Sequence, residues 1–470
     1  MKIFYLEILV LALAFLIFVV DLVFKKQRAN LIPWVVSVGL FFILGLSFIY
    51  KPQGSFFSGA AVSDSLALFF KKLFLMAGFI SSLGVFSFAP ERFSKRQMEY
   101  FFLLLVSLSG MMLVSGAKEL IFLFVSFEIM SFPLYVLAGF LKKEAFSVEA
   151  ALKFFLLGTV SSALILYGFS FVYGMTGSTY LDKINTAAGN LSGLFYLGIS
   201  LILAGFCFKI AAVPFHMWVP DTYQGAPTPF VAFLSVAPKA AGFVVLLRLF
   251  WEGFLPAQNF WRPQMILLSA LSMIVGNLLA LPQKNIKRLL AYSGIAHIGY
   301  ALLGLLVVTH YGISMLLFYL AIYLFANMGA FLIVELVYRT QKSDELEAYA
   351  GLAQRSPLVA LCLLLFLLSL GGIPFLAGFW AKLYIFLAAA QQKLWGLVFL
   401  GAVLSVVALF YYLKIARVMY IQAPLTAERL VNNKAILISI ILTVIPLLIF
   451  GLYPKPLVEL VNQIARQFLP

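Results

Sequence analysis

The stretch Phe206-Cys-Phe-Lys-Ile-Ala-Ala-Val-Pro-Phe-His-Met-Trp-Val-Pro-Asp-Thr-Tyr-Gln-Gly-Ala-Pro-Thr-Pro229 decides the fold. It begins inside an apolar run and carries Lys209 there. It breaks at Pro214, passes through Pro220 and Pro227, and opens a second apolar run that carries Lys239. A lysine in hydrocarbon is costly, and a proline shortly after it interrupts the helix that holds it. Two such lysines flanking one broken segment point to a polar path through a membrane.

The composition agrees. The 470 residues are 63% hydrophobic and 11% charged, with a mean hydropathy of +1.05, whereas soluble domains carry about 25% charged residues. Apolar runs of about 20 residues, enough to cross a bilayer, recur from one end to the other. The chain reads as a single membrane domain over 1–470, with no soluble domain. A net charge of +15 would suggest nucleic acid in a soluble protein. Here it follows from basic loops on one side of a membrane, so lipid is the expected partner and nucleic acid is not. Cys207 and Cys362 fall inside apolar runs and read as small core residues, without a disulfide frame. The first span has no basic stretch beyond Lys2 and no small-residue cleavage site, so it reads as a retained helix.

The pattern predicts an all-α polytopic membrane protein of about fourteen transmembrane helices. They lie near 3–22, 31–50, 68–89, 99–116, 119–141, 150–175, 193–213, 228–251, 264–281, 289–308, 312–338, 358–390, 394–416 and 434–453. Lateral pieces are expected at 214–226 and 455–468. One set of loops holds Lys25, Lys26, Arg28, Arg92, Lys95, Arg96, Lys142, Lys143, Lys284, Lys287, Arg288, Arg339, Lys342, Arg355, Arg417, Arg429 and Lys434. The opposite set is poorer, with Lys51, Lys118, Lys183, Arg262, Lys393, Lys455 and Arg466. The richer set is expected in the cytoplasm, which puts both termini outside, in the periplasm.

Lys209-Ile-Ala-Ala-Val-Pro-Phe has an echo in Gly371-Gly-Ile-Pro-Phe-Leu-Ala-Gly-Phe-Trp-Ala-Lys382. Each has a Pro-Phe step inside an apolar span and a lysine nearby. They fall in the seventh and twelfth spans. An odd offset means opposite orientation, the arrangement of inverted repeats with discontinuous helices, here 7 and 12. Pro214, Gly372 and Pro374 are the expected breaks.

Ionisable residues at membrane depth are the candidate site. Glu128 lies mid-way in the fifth span and demands a cation or a proton there; Lys209 is the candidate partner. The alternative is a static ion pair joining two helices. Lys239 follows Pro238 roughly halfway along the eighth span, too deep to snorkel easily, which makes it a candidate proton carrier. Lys382 follows the Gly371-Gly-Ile-Pro374 break, whose freed backbone groups call for water or protein partners, favouring a hydrated cavity. Lys153 stands one turn after Glu149 on the same helix face; the two read equally as a salt bridge at the span end or as a route of proton uptake. His297, in the tenth span, suits a relay or a hydrogen-bonded core position. Glu335, near the end of the eleventh span, is a candidate cytoplasmic-side partner. The chain has no G-x-G-x-x-G followed by an acidic residue, no Walker loop, and no Cys or His cluster with metal spacing. No metal site and no redox centre is therefore expected, and the driving energy has to come from a partner.

Phe127-Glu-Ile-Met-Ser-Phe-Pro-Leu-Tyr135, Glu149-Ala-Ala-Leu-Lys-Phe-Phe-Leu-Leu-Gly158, Lys209 to Pro229, Asn285-Ile-Lys-Arg-Leu-Leu-Ala-Tyr-Ser293 and Gly372 to Lys382 together resemble the antiporter-like membrane subunits of respiratory complex I, the NADH:quinone oxidoreductase. The last stretch and Ser235-Val-Ala-Pro-Lys-Ala-Ala-Gly-Phe243 most resemble the family's bacterial N branch. The M branch usually carries a glutamate where Lys382 stands, and the L branch a long C-terminal lateral helix. The resemblance covers the fourth to the thirteenth span.

It implies fourteen helices with two inverted five-helix repeats: 1–97 for the first three helices, 98–252 and 253–430 for the repeats, and 431–470 for the last helix and tail. It also implies that Glu128 and Lys209 form the family's glutamate–lysine pair. Lys239 would be the central lysine, Lys382 the exit-side lysine and Lys153 a further lysine. The implied function is proton translocation in a bacterial inner membrane, driven by partner subunits that carry NADH, flavin, iron–sulfur clusters and quinone. The neighbours would be another antiporter-like subunit and small membrane subunits. A multi-subunit sodium/proton antiporter, a related membrane hydrogenase and a purely structural spacer stay open as alternatives.

Overall fold

The computed structural model describes residues 2–24, 28–88, 96–187, 193–424, 428, 430 and 434–468. In chain order the helices are α1 (Tyr5–Val23), α2 (Arg28–Ile49), α3 (Ser65–Phe88), α4 (Gln97–Ser115), α5 (Leu120–Ala138), α6 (Ala145–Thr176), α7 (Leu181–Ala187), α8 (Gly193–Ile210), α9 (Trp218–Gly225), α10 (Thr228–Leu234), α11 (Ala237–Leu247), α12 (Gln258–Ala280), α13 (Ile286–Leu306), α14 (His310–Gln341), α15 (Leu352–Arg355), α16 (Pro357–Gly371), α17 (Ala377–Gln391), α18 (Trp395–Tyr420), α19 (Lys434–Leu452) and α20 (Lys455–Phe468). An antiparallel hairpin, β1 (Gly54–Phe56) and β2 (Ala61–Ser63), fills the connection between α2 and α3.

Among the described residues, thirteen helical segments are long and apolar enough to cross a membrane. The remaining expected span is the pair α16–α17, two 15-residue helices on either side of a break. The two lateral pieces appear as α9 and α20. Burial is uneven: α10–α11, α13 and α14 are at least 94% buried, while α6, α18 and α19 are 33% buried. The first group therefore forms the core, and the second turns apolar faces outward, where lipid meets them as well as protein does.

The breaks follow from proline geometry. A proline ring clashes with the carbonyl four residues earlier, and α8 ends at Ile210, four before Pro214. The same rule ends α10 at Leu234, four before Pro238. The eighth span is thus interrupted too, a break the sequence reading did not include, and it closes with a π-helical turn at Arg248–Gly253. Both expected breaks use a left-handed residue: Ala211 (φ +67) in one, Gly372 (φ +86) and Phe375 (φ +70) in the other.

Backbone groups freed in a membrane need partners, and side chains supply them. Val213 N–H donates to Ser272 Oγ (2.9 Å), and the Phe208 carbonyl accepts from Trp218 Nε1 (3.0 Å). The Gly371 carbonyl accepts from Lys382 Nζ (3.0 Å).

Contacts gather the basic loops at one end. Arg96 lies over the Phe140 ring, Lys287 pairs with Asp344 at 2.9 Å, and Lys414 donates to the Gln283 carbonyl. Lys25, Lys26, Arg92, Lys95 and Arg429 lie outside the described residues. The opposite end holds the hairpin and α20. That helix buries Leu457, Val461 and Ile464 against α3 and α14.

Candidate functional site

Lys209, one residue from the end of α8, meets Glu128 of α5 as the sequence suggests, but loosely. Its Nζ lies 3.5 Å from Glu128 Oε1, and it donates more closely to Tyr135 Oη and Ser162 Oγ, both at 3.1 Å. Ser162 in turn donates to Glu128 Oε1 at 2.7 Å. The pair is therefore bridged by a hydroxyl, and Ser131 stands 3.5 Å from the same ammonium. Glu128 also faces an open, mainly apolar groove between α5 and α6.

Lys239 follows the break between α10 and α11 and is 2% exposed. Its ammonium has no hydrogen-bond partner among the described residues; it sits 5.5 Å from the Tyr223 ring centre, a cation–π contact. Lys209 and Lys239 line one cavity of about 20 Å³. That is close to the volume one water occupies. On its other side Lys239 borders Gly294 of α13. A methyl group there would come within 3.2 Å of Lys239 Nζ and 3.0 Å of Tyr323 Oη. Gly294 therefore keeps open the step from Lys239 to the α14 tyrosines.

His297 continues that step. Its Nδ1 is 2.6 Å from Tyr319 Oη, its Nε2 is 3.4 Å from Tyr412 Oη, and its ring lies against Tyr323 with centroids 5.0 Å apart. His297, Tyr319, Tyr323 and Lys382 line a second cavity of about 10 Å³. Lys382, on α17, donates to the Gly371 carbonyl and lies 4.9 Å from the Tyr300 ring centre. A side chain at Gly372 would meet Lys382 Cδ at 2.9 Å, so the glycine serves both the left-handed backbone and the lysine's path.

Glu149 and Lys153 stand apart from this line. Lys153 is 43% exposed and bonds Glu149 and Asp221 at 2.7 Å each. Asp221 also accepts from Arg288 at 2.7 Å. Burial raises the Asp221 carboxyl, yet the hydrogen bonds and charges of Lys153 and Arg288 outweigh it and hold the group below the usual carboxylate range. The result is an ion-pair cluster tying α6, α9 and α13 together at the basic end.

Several residues of the line escaped the sequence reading: Ser131, Tyr135 and Ser162 around Lys209, and Tyr319, Tyr323 and Tyr412 around His297. A signal existed. Ser131 and Tyr135, and Tyr319, Tyr323 and Asn327, recur at a spacing of four, which places each set on one helix flank. Among the described residues no group of three or more His, Cys, Asp or Glu side chains is placed to hold a metal.

Comparison with known proteins bears on what this line belongs to. The family described as NADH:quinone oxidoreductase/Mrp antiporter matches residues 117–408, which include every member of the line except Tyr412. The chain belongs to this family. Within the family it groups with the N subunits of NADH-quinone oxidoreductase. The one from Desulforamulus reducens is 42% identical over 435 residues, covering 92% of this chain and 91% of its own length. A chain of respiratory complex I from Thermus thermophilus superposes with a TM-score of 0.83 at 33% identity, over 97% of this chain and 99% of that one. A chain of the Mrp complex from Dietzia sp. has a TM-score of 0.84 at 20% identity, over 100% and 98% of the two chains, and shares the fold.

Proposed function

We propose that the chain is a proton-translocating membrane subunit of an NADH:quinone oxidoreductase in a bacterial inner membrane. Protons move through Lys239 and Lys382, with His297 and its tyrosines between them. The Glu128–Lys209 pair acts as a switch. While the pair is closed, Lys209 keeps its charge and repels a proton from Lys239. When it opens, Lys209 can give its proton up. A shift of one pKa unit corresponds to about 1.4 kcal/mol. Moving one charge across 100 mV involves about 2.3 kcal/mol, so a rearranged ion pair is of the right size to drive the step.

The single observation that carries this reading is the succession of buried lysines and water-sized cavities from Lys209 to Lys382. Residues 98–252 and 253–430 form the two inverted repeats in this reading, supported by breaks five spans apart that each use a left-handed residue. The basic end faces the cytoplasm and both termini lie outside. NADH, flavin, iron–sulfur clusters and quinone belong to partner subunits, and the neighbours are other membrane subunits of the complex. The relatives' names support this assembly.

The fold is shared with an Mrp chain, so the rival is a sodium/proton antiporter subunit. Purifying the tagged chain in mild detergent separates the two. Co-purification with a flavin- and iron–sulfur-bearing arm that reduces quinone is expected. Sodium-dependent proton exchange by a complex without such an arm would favour the antiporter.

A further inference from the structure

The lysine line needs a source of protons, and the following rests on the reading just proposed. At the basic end a cavity of about 240 Å³ opens. Its wall includes Gln224, Thr228, Asn285, Lys287, Tyr338 and Asp344. Behind that wall stands Glu335 of α14, 1% exposed. Thr228 is beside it, both its carboxylate oxygens are buried without a hydrogen-bond partner among the described residues, and Lys287, Arg339 and Asp344 are the charged groups acting on it, with Tyr100 and Tyr349 also near. Glu335 is thus one side chain removed from the cavity.

A static ion pair is the plain alternative, and the distances speak against it. Arg339 Nε stays 3.4 Å from Glu335, and Lys287 is committed to Asp344 at 2.9 Å. Structural pairs elsewhere at this end close to 2.7 Å.

Inward from Glu335, α14 stays polar along one flank. Asn327 lies eight residues back and donates to Ser235 Oγ at 2.7 Å, at the break that precedes Lys239. Tyr323 lies four further back and shares the Gly294 gap with Lys239. The one apolar step is Phe331. Its ring meets Tyr223 edge-on with centroids 5.8 Å apart, and Tyr223 is the ring beneath Lys239. The Tyr223 hydroxyl is buried without a hydrogen-bond partner among the described residues.

We infer that Glu335 is the proton-accepting residue of an uptake port. It takes protons from the basic-end cavity and passes them, beyond the Phe331–Tyr223 pair, to Lys239. In each transfer the Glu335 carboxylic acid loses a proton, the neutral amine of Lys239 becomes an ammonium, and Glu335 returns to a carboxylate. The Glu149–Lys153 cluster lies elsewhere at the same end and is committed to Asp221.

The test uses the assembled complex in native membrane vesicles, reading NADH-driven proton uptake per amount of complex on native gels. Glu335→Gln is expected to lower it at least about tenfold, and Glu335→Asp to restore most of it. A Glu335→Gln complex within twofold of the unsubstituted one, or an Asp variant as impaired as the Gln variant, overturns the port. Should Glu335→Gln fail to assemble, Tyr223→Phe reads the same step. Slowing by at least about threefold supports the port, and an unchanged rate overturns it. Lys239→Met run alongside keeps the two readings apart. Loss there with none at Glu335 removes only the port, while no loss at either removes the proposed function as well.

Discussion

Lys209 stands just before the break that ends α8, and Lys382 stands six residues into the helix that follows the break after α16. Each break turns the chain through a left-handed residue and frees backbone groups at membrane depth. The surroundings of the two ammoniums differ. Lys209 has a carboxylate, Glu128, and three hydroxyls from Ser131, Tyr135 and Ser162 within 3.5 Å. Lys382 has one backbone carbonyl and the face of Tyr300. One backbone device therefore serves two chemistries. Where a countercharge and spare hydroxyls are supplied, the cation can exchange partners. Where they are not, it can only pass on what it receives.

The largest expected effect breaks or confirms that contrast. Lys382→Met should abolish most proton translocation by the assembled complex, at least about tenfold. Glu128→Gln should cost less, about three- to tenfold, because the three hydroxyls still accept from Lys209. Equal losses in vesicle proton-uptake assays would mean that the two lysines play the same part.

A smaller effect lies in the backbone. Gly372→Ala forces a side chain into φ +86 and against Lys382. It should destabilise the protein by about 1–3 kcal/mol. Ala211→Gly relieves the matching left-handed residue and should stabilise by up to about 1 kcal/mol. Thermal unfolding of the purified complex reads both. A shift of the same sign in the two variants would show that the breaks are not equivalent in backbone.

The spans, the lateral helices and the seventh and twelfth breaks were legible because hydrophobic run length and proline act locally. The break at Pro238 follows the same proline rule and could have been read from it; the uninterrupted hydrophobicity of the span concealed it. The hydroxyls around Lys209 were harder. Ser131 and Ser162 also bond their own helix carbonyls, at 2.9 and 3.1 Å, which is what a serine in any apolar helix does. Sequence alone therefore does not separate a ligand from a self-satisfied side chain. Lys153 was ambiguous for a different reason. Its partner Asp221 lies 68 residues away, and only tertiary structure shows that the pair sits at the surface. The prominence of Glu335 likewise emerges only when α10, α13 and α14 are brought together.

The most direct measurement of the central claim is the number of protons translocated per NADH oxidised by the assembled complex carrying Lys239→Met. The account predicts a clear fall in that ratio, or loss of coupled turnover, with the complex assembled normally. An unchanged ratio at an unchanged rate would contradict it.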